Sequence, residues 1–95
     1  MRSDPVTPTL REAVLERDNW VCVGLKLGWA SHTGPPWMDV WRLELDHVRS
    51  SGALGKKSRS TLDNLVTLCS TCHCWKTEHG REARPLLLAY LEGFG

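Results

Sequence analysis

Val40-Trp41-Arg42-Leu43-Glu44-Leu45-Asp46-His47 alternates apolar and polar side chains from Trp41 to Asp46. A period of two marks a strand with one face buried, so the stretch predicts a half-buried strand ending at Asp46-His47. Leu62 to Leu68 predicts a second short extended piece. Cys69-Ser70-Thr71-Cys72 then predicts a tight turn, and His73 to about His79 a helix stopped by Gly80. Between the two strands, residues 49–61 are rich in Ser, Gly, Lys and Arg, the composition of an exposed loop. Strand, loop, strand and helix together predict an α+β fold.

Upstream, Thr9-Leu10-Arg11-Glu12 matches a capping box. Thr7 with Pro8 at the first helical position is an equally good helix start. The helix runs to Arg17 and ends at Asp18-Asn19. Trp20-Val21-Cys22-Val23 is apolar and partly β-branched, which predicts a strand or extended entry. Residues 24–39, with three glycines and two prolines, predict a loop, with room for a short hairpin. Downstream, Pro85 can open a last helix over about 85–92, with Leu87, Leu88 and Leu91 on its buried side.

The chain has 95 residues, enough for a single domain. Its expected layout is a flexible N-terminus over 1–8, a core over 9–80 and the C-terminal helix. A domain this short often leans on a metal or on disulfides. A hydrophobic fraction of 41% with five tryptophans excludes a disordered chain. No apolar run is long enough to span a membrane. The N-terminus lacks an apolar signal core, which predicts a cytoplasmic protein whose cysteines are metal ligands before they are disulfides. The formal net charge is only +1. It is unevenly spread: residues 1–46 carry −2, residues 47–84 carry +4, and the last eleven carry −1. The positive segment coincides with the candidate site and suits a phosphate-binding face, although an ordinary solvated surface has similar charge.

A carboxylate such as Asp46 is a hard ligand for a divalent cation, and an imidazole beside it, His47, can act as a general base near neutral pH. Taken singly, Asp-His is more often a polar pair closing a strand. Cys69-x-x-Cys72 is a standard half of a zinc site; its redox reading needs a thioredoxin-like βαβ pattern, which this sequence lacks. A helix starting at that knuckle turns His73 away from the zinc. Asn64 lies nine residues before His73, at the start of the strand leading to the knuckle.

Leu45-Asp46-His47-Val48, then Asp63-Asn64-Leu65, then Leu68-Cys69-x-x-Cys72-His73-x-x-Lys76-Thr77 resembles the pattern of the HNH (ββα-metal) endonucleases, and Leu15 to Cys22 resembles the segment before their first knuckle. The resemblance spans about residues 10–80. It implies a ββα-metal core with flanking helices and a metal-dependent hydrolysis of DNA phosphodiesters that leaves 5′-phosphate and 3′-hydroxyl ends. It further implies one divalent cation (Mg²⁺, Mn²⁺, Ni²⁺ or Zn²⁺) on Asp46 and His73, His47 as the base that activates water, and Asn64 bracing the loop that orients His47. Lys56, Lys57, Arg59 and Lys76 would face DNA phosphates. The chain is similar in size to phage-encoded HNH proteins, which are associated with the large terminase subunit and genome packaging.

Members with a structural zinc usually carry two Cys-x-x-Cys halves. Here Leu25 stands where the partner of Cys22 would be. Cys22, Cys69 and Cys72 leave one zinc position open, and His32, ten residues after Cys22, is the expected fourth ligand. Cys74 points away from Cys72 around the helix, His79 is two turns on, and Asp39 is a less usual donor. Plainer readings remain: an exposed loop histidine for His32 and a buried apolar thiol for Cys22. The rival for the whole chain is a non-catalytic zinc-ribbon-like module that binds DNA or protein. Such a module has no use for Asp46, His47 and Asn64 together.

Overall fold

The computed structural model describes residues 6–32, 42–49 and 60–94. The expectations for Lys56, Lys57, Arg59, Asp39 and the first residues of the strand at Val40-Trp41 fall outside them.

The fold is α+β, with an antiparallel pair of strands among helices. Strand β1 is Leu43–His47 and strand β2 is Leu65–Cys69, in a register that sets Glu44 opposite Leu68 and Asp46 opposite Val66. The five β2 residues are all buried, whereas β1 stays half-buried with Glu44 exposed. β2 therefore runs through the core and β1 along its outer side, which accounts for the mostly apolar run of one and the alternation of the other. A single turn of 3₁₀ helix, Leu62–Asn64, leads into β2.

Helix α1, Pro8–Arg17, takes the second of its two predicted starts: Thr7 caps it, accepting from the Leu10 amide at 3.2 Å, and Pro8 stands at N1. Its buried residues are Val14 and Leu15. The helix closes with the Trp20 amide on the Leu15 carbonyl at 2.8 Å, the long bond of a Schellman ending, with Asn19 in the left-handed conformation at φ 61°. Trp20 follows at φ 56°, a conformation that costs a non-glycine residue about 1 kcal/mol or more. This reversal corrects the strand expected at Trp20–Val23. The chain turns instead, and Val23 opens a short helix α2, Val23–Lys26.

Two more boundaries differ from expectation. The Cys69–Cys72 knuckle is not a free turn, because β2 ends on Cys69 and helix α3, Ser70–Glu78, begins on the next residue with Cys69 as its cap. Gly80 does not stop that helix. His79 breaks it, and Gly80 is the first residue of helix α4, Gly80–Glu92. The Glu82 and Ala83 amides already bond to the His79 carbonyl at 3.0 and 2.9 Å, so the helix is under way before Pro85, which lies inside it. Ala83, Leu87 and Leu91 are its buried face, at the i, i+4 spacing of a stripe. They meet Val23, Trp29, Val48, Val66, Leu68 and the cysteines Cys22, Cys69 and Cys72 in one core. No helix among the described residues is long and apolar enough to cross a membrane.

Asp18 does more than end α1. Its carboxylate is fully buried and accepts from Arg17 Nε at 2.8 Å, Arg17 Nη2 at 2.9 Å, the Thr67 amide at 3.0 Å and the Tyr90 hydroxyl at 2.6 Å. Arg17 also donates to the carbonyls of Leu62 and Leu65, at 2.5 and 2.6 Å. A buried charge is tolerable when it is paired and fully hydrogen-bonded.

Removing one side of such a pair leaves the other uncompensated, at a typical cost of about 3–5 kcal/mol. Asp18→Ala is expected to lose that much in urea denaturation, and a loss below about 1 kcal/mol would contradict the role. Tyr90 supplies a pH test. Burial first, and its hydrogen bond to Asp18 second, push its ionisation above the ordinary value near 10. The folded state thus holds the proton more tightly than the unfolded one. That stability is whole below about pH 10 and is lost as pH rises past it. The stability difference between the parent protein and Tyr90→Phe should narrow above pH 10; a difference unchanged between pH 8 and 11 would refute it.

Candidate functional site

Two clusters of metal-ligating side chains lie on either side of the start of α3. The first is buried. Cys22, at the entry of α2, meets Cys69, at the end of β2, and Cys72, in the first turn of α3. His32 joins them, so that the three sulfurs and an imidazole nitrogen all lie within 4.8 Å of one another. His32 Nδ1 is 3.6 Å from Cys69 Sγ and 3.7 Å from Cys72 Sγ. Ligand atoms on a tetrahedral zinc with ordinary Zn–N and Zn–S bonds stand about 3.6 Å apart, so both edges fit. The structure thus brings together the four residues that sequence reasoning grouped.

The environment of the sulfurs suits thiolates held by a cation. The Cys72 amide points at Cys69 Sγ at 3.5 Å, and Ser31 Oγ donates to Cys72 Sγ at 3.4 Å. Burial pushes the Cys22 thiol up, although the Cys69 and Leu25 amides pull against it. Burial also pushes Cys72 up to about 12, with the neighbouring thiols adding to it. Without a cation such thiols keep their protons near neutral pH. A divalent soft-loving ion reverses the balance by binding the deprotonated form. Leu25, which replaces an expected thiol, contributes its backbone amide. Gly24 makes room: a Cβ there would stand 2.6 Å from Cys72 Sγ and 3.0 Å from the Trp29 ring. Cys74 is exposed and outside the cluster, and His79 stacks on Trp75 with centroids 4.9 Å apart.

The second cluster is nearer the surface. Glu44 and Asp46, two residues apart on β1, share a face, and α3 crosses it. His73, one residue past Cys72, points to that side. Its Nε2 is 3.2 Å from Asp46 Oδ1 and its Nδ1 is 2.5 Å from Glu44 Oε1. A neutral imidazole carries one N–H and can serve one carboxylate as donor. The second contact needs a positive charge between nitrogen and oxygen, whether a further proton or a metal ion. Neighbouring ligand atoms on an octahedral cation with bonds near 2.1 Å are about 3 Å apart, so Asp46 Oδ1 and His73 Nε2 fit as two adjacent ligands.

Lys76, one helical turn past His73, also points inward. Its Nζ pairs with Asp46 Oδ2 at 2.7 Å, as an ion pair poorly aligned for hydrogen bonding, and donates to the His47 carbonyl at 2.8 Å. Its side chain is 12% exposed. The outward, phosphate-facing lysine expected from sequence is here a strut between α3 and the end of β1. His47, the last residue of β1, contacts Ser60 Oγ through Nε2 at 2.9 Å.

Asn64 is buried and holds the turn after His47. Its side chain accepts from the Arg49 amide at 2.7 Å and donates to the Arg49 carbonyl at 3.1 Å, and its carbonyl accepts from Val48 at 2.9 Å. The brace acts on the backbone next to His47; the imidazole itself is met by Ser60. Sequence reasoning missed Ser60 and Glu44. Ser60 carried no signal, whereas Glu44 stands at the same-face spacing from Asp46.

A model of the HNH endonuclease family matches residues 37–81. Comparison with curated proteins and with solved structures gives no match. The matched segment contains Asp46, His47, Asn64, Cys69, Cys72 and His73, on the strand pair and crossing helix just described. Over residues 37–81 the chain is similar to the HNH endonuclease family.

Proposed function

We propose that the chain is a metal-dependent DNA endonuclease that hydrolyses phosphodiester bonds, with His47 as general base and one divalent cation held by Asp46 and His73. The observation that carries this reading is the 3.2 Å approach of Asp46 Oδ1 to His73 Nε2, beside His47. A purely structural zinc module needs Cys22, His32, Cys69 and Cys72, but not a carboxylate and an imidazole brought together on the other side of α3.

Phosphodiester hydrolysis requires a deprotonated water and a positive centre for the charge that grows on the phosphate and the leaving oxygen. The cation, when bound, supplies that centre and keeps positions open beyond its two protein ligands. His47 supplies the base: Nε2 is engaged by Ser60 Oγ, which leaves Nδ1 to take the proton from water. Asn64 holds the Val48–Arg49 backbone so that His47 stays at the strand end. Lys76 fixes the same end from below, through Asp46 and the His47 carbonyl, and Arg84 Nε adds a bond to the Val48 carbonyl at 3.1 Å. The products are 5′-phosphate and 3′-hydroxyl ends. In the same reading Cys22, His32, Cys69 and Cys72 hold a structural zinc, and Lys56, Lys57 and Arg59 meet DNA phosphates.

His47→Ala should leave the circular dichroism spectrum unchanged while cleavage of supercoiled plasmid in Mg²⁺, Mn²⁺ or Ni²⁺ falls about 10²–10⁴-fold, the usual loss with a general base. Cleavage at the parent rate would overturn the assignment. For the zinc, elemental analysis should find one ion per chain that His32→Ala releases to a chelator more readily. Gly24→Ala should also weaken retention, because the added methyl collides with Cys72; overpacking of this kind typically costs about 1–3 kcal/mol. Parent-like zinc retention and melting in both variants would contradict the four-ligand site.

A further inference from the structure

The ring of His73 lies between two carboxylates: Glu44 Oε1 is 2.5 Å from Nδ1 and Asp46 Oδ1 is 3.2 Å from Nε2. The two acids are not equivalent. Asp46 is 13% exposed and already carries Lys76 on its other oxygen, whereas Glu44 is 46% exposed and makes the shorter contact. An ionised carboxylate only accepts, so the 2.5 Å contact places a proton on Nδ1. A neutral ring with its proton on Nδ1 offers its lone pair at Nε2, and Nε2 is the nitrogen that faces Asp46.

We infer that Glu44 is a positioning residue: it takes the Nδ1 proton of His73, and so fixes both the tautomer and the ring orientation that present Nε2, with Asp46, to the catalytic cation. The reasoning is geometric. Glu44 and Asp46 are two residues apart on a strand, about 7 Å along it, and an imidazole has its two nitrogens on opposite sides of the ring. A helix that lays His73 across that face fits one nitrogen to each acid. Carboxylate partners of this kind hold metal-bound histidines elsewhere and are worth about 10–100-fold in metal affinity. The inference rests on the proposed ligand pair Asp46 and His73.

The test is Mn²⁺ binding to the full chain, with its zinc site loaded, measured by calorimetry or by the spin resonance of free Mn²⁺, for the parent, Glu44→Ala, Glu44→Gln and His73→Ala. Glu44→Ala is expected to weaken Mn²⁺ about 10–100-fold. Glu44→Gln keeps an oxygen acceptor for Nδ1–H and should stay close to the parent, a rescue that a general effect of surface charge would not give. Parent-like affinity in Glu44→Ala, with His73→Ala weakened, overturns the role of Glu44 and leaves the ligand pair standing. Parent-like affinity in His73→Ala overturns the ligand pair and the inference together. A second measurement does not depend on any variant folding: nitrogen NMR of the Mg²⁺-loaded parent should show His73 protonated on Nδ1, and a proton on Nε2 overturns the inference.

Discussion

The carboxylate of Asp18 has no exposed surface and receives four hydrogen bonds, from Arg17 twice, from Thr67 and from Tyr90. Through them the end of α1, the middle of β2 and the last turns of α4 meet at one point. Arg17 extends the join to the 3₁₀ turn before β2 through the Leu62 and Leu65 carbonyls. Unpaired in an apolar core, this charge would be costly; with every partner present it tolerates one arrangement of the surrounding segments. That arrangement sets β2, and β2 sets everything at the site. Its register with β1 fixes where Asp46 and His47 emerge, and its last residue, Cys69, caps the helix that carries His73.

Helix α3 separates two kinds of chemistry by rotation alone. Successive residues on a helix point about 100° apart, so Cys72 and His73 cannot serve one cluster. Cys72 turns into the core with Cys22, Cys69 and His32, and His73 turns outward to Asp46 and Glu44. One turn on, Lys76 falls on the His73 side and ties the helix to the end of β1. The placement of His73 thus depends on the cysteine cluster without touching it: whatever holds Cys69 and Cys72 holds the helix start, and the helix start aims His73.

Much of this was legible in the sequence because it followed from period and spacing. The alternation around Leu43–Asp46 predicts the half-buried strand, and His32 as the partner of Cys22, Cys69 and Cys72 follows from ligand chemistry and chain distance, whereas the pairing of Asp46 with His73 is what the resemblance to the HNH endonucleases implies. The misread segments have local physical causes. Trp20–Val23 has strand-like composition, but the Leu15 carbonyl and the left-handed Asn19 turn the chain there before any strand partner is available. Gly80 and Pro85 are ordinary breakers, yet His79 had already ended one helix and supplied the first carbonyl of the next. Asp18 read as a helix-ending polar residue because its partners Thr67 and Tyr90 lie 49 and 72 residues away, and no local pattern encodes a contact at that distance. Lys76, which the resemblance places toward DNA phosphates, is likewise tied to a partner far along the chain, the His47 carbonyl.

The two clusters also differ in the way the two proposed metal sites would have to differ. Three sulfurs and an imidazole, all from buried or half-buried residues, make a soft and closed donor set, which suits a zinc that stays. A carboxylate and an imidazole, partly open to solvent, make a harder set with positions left for water and a phosphate oxygen. Were the donors exchanged, a thiolate cluster at the surface would be open to oxidation, and an open carboxylate site in the core would admit no substrate. On the proposed reading, donor softness and exposure vary together because a cation that holds the fold is kept from water, while a cation that acts on a phosphodiester shares its coordination shell with it.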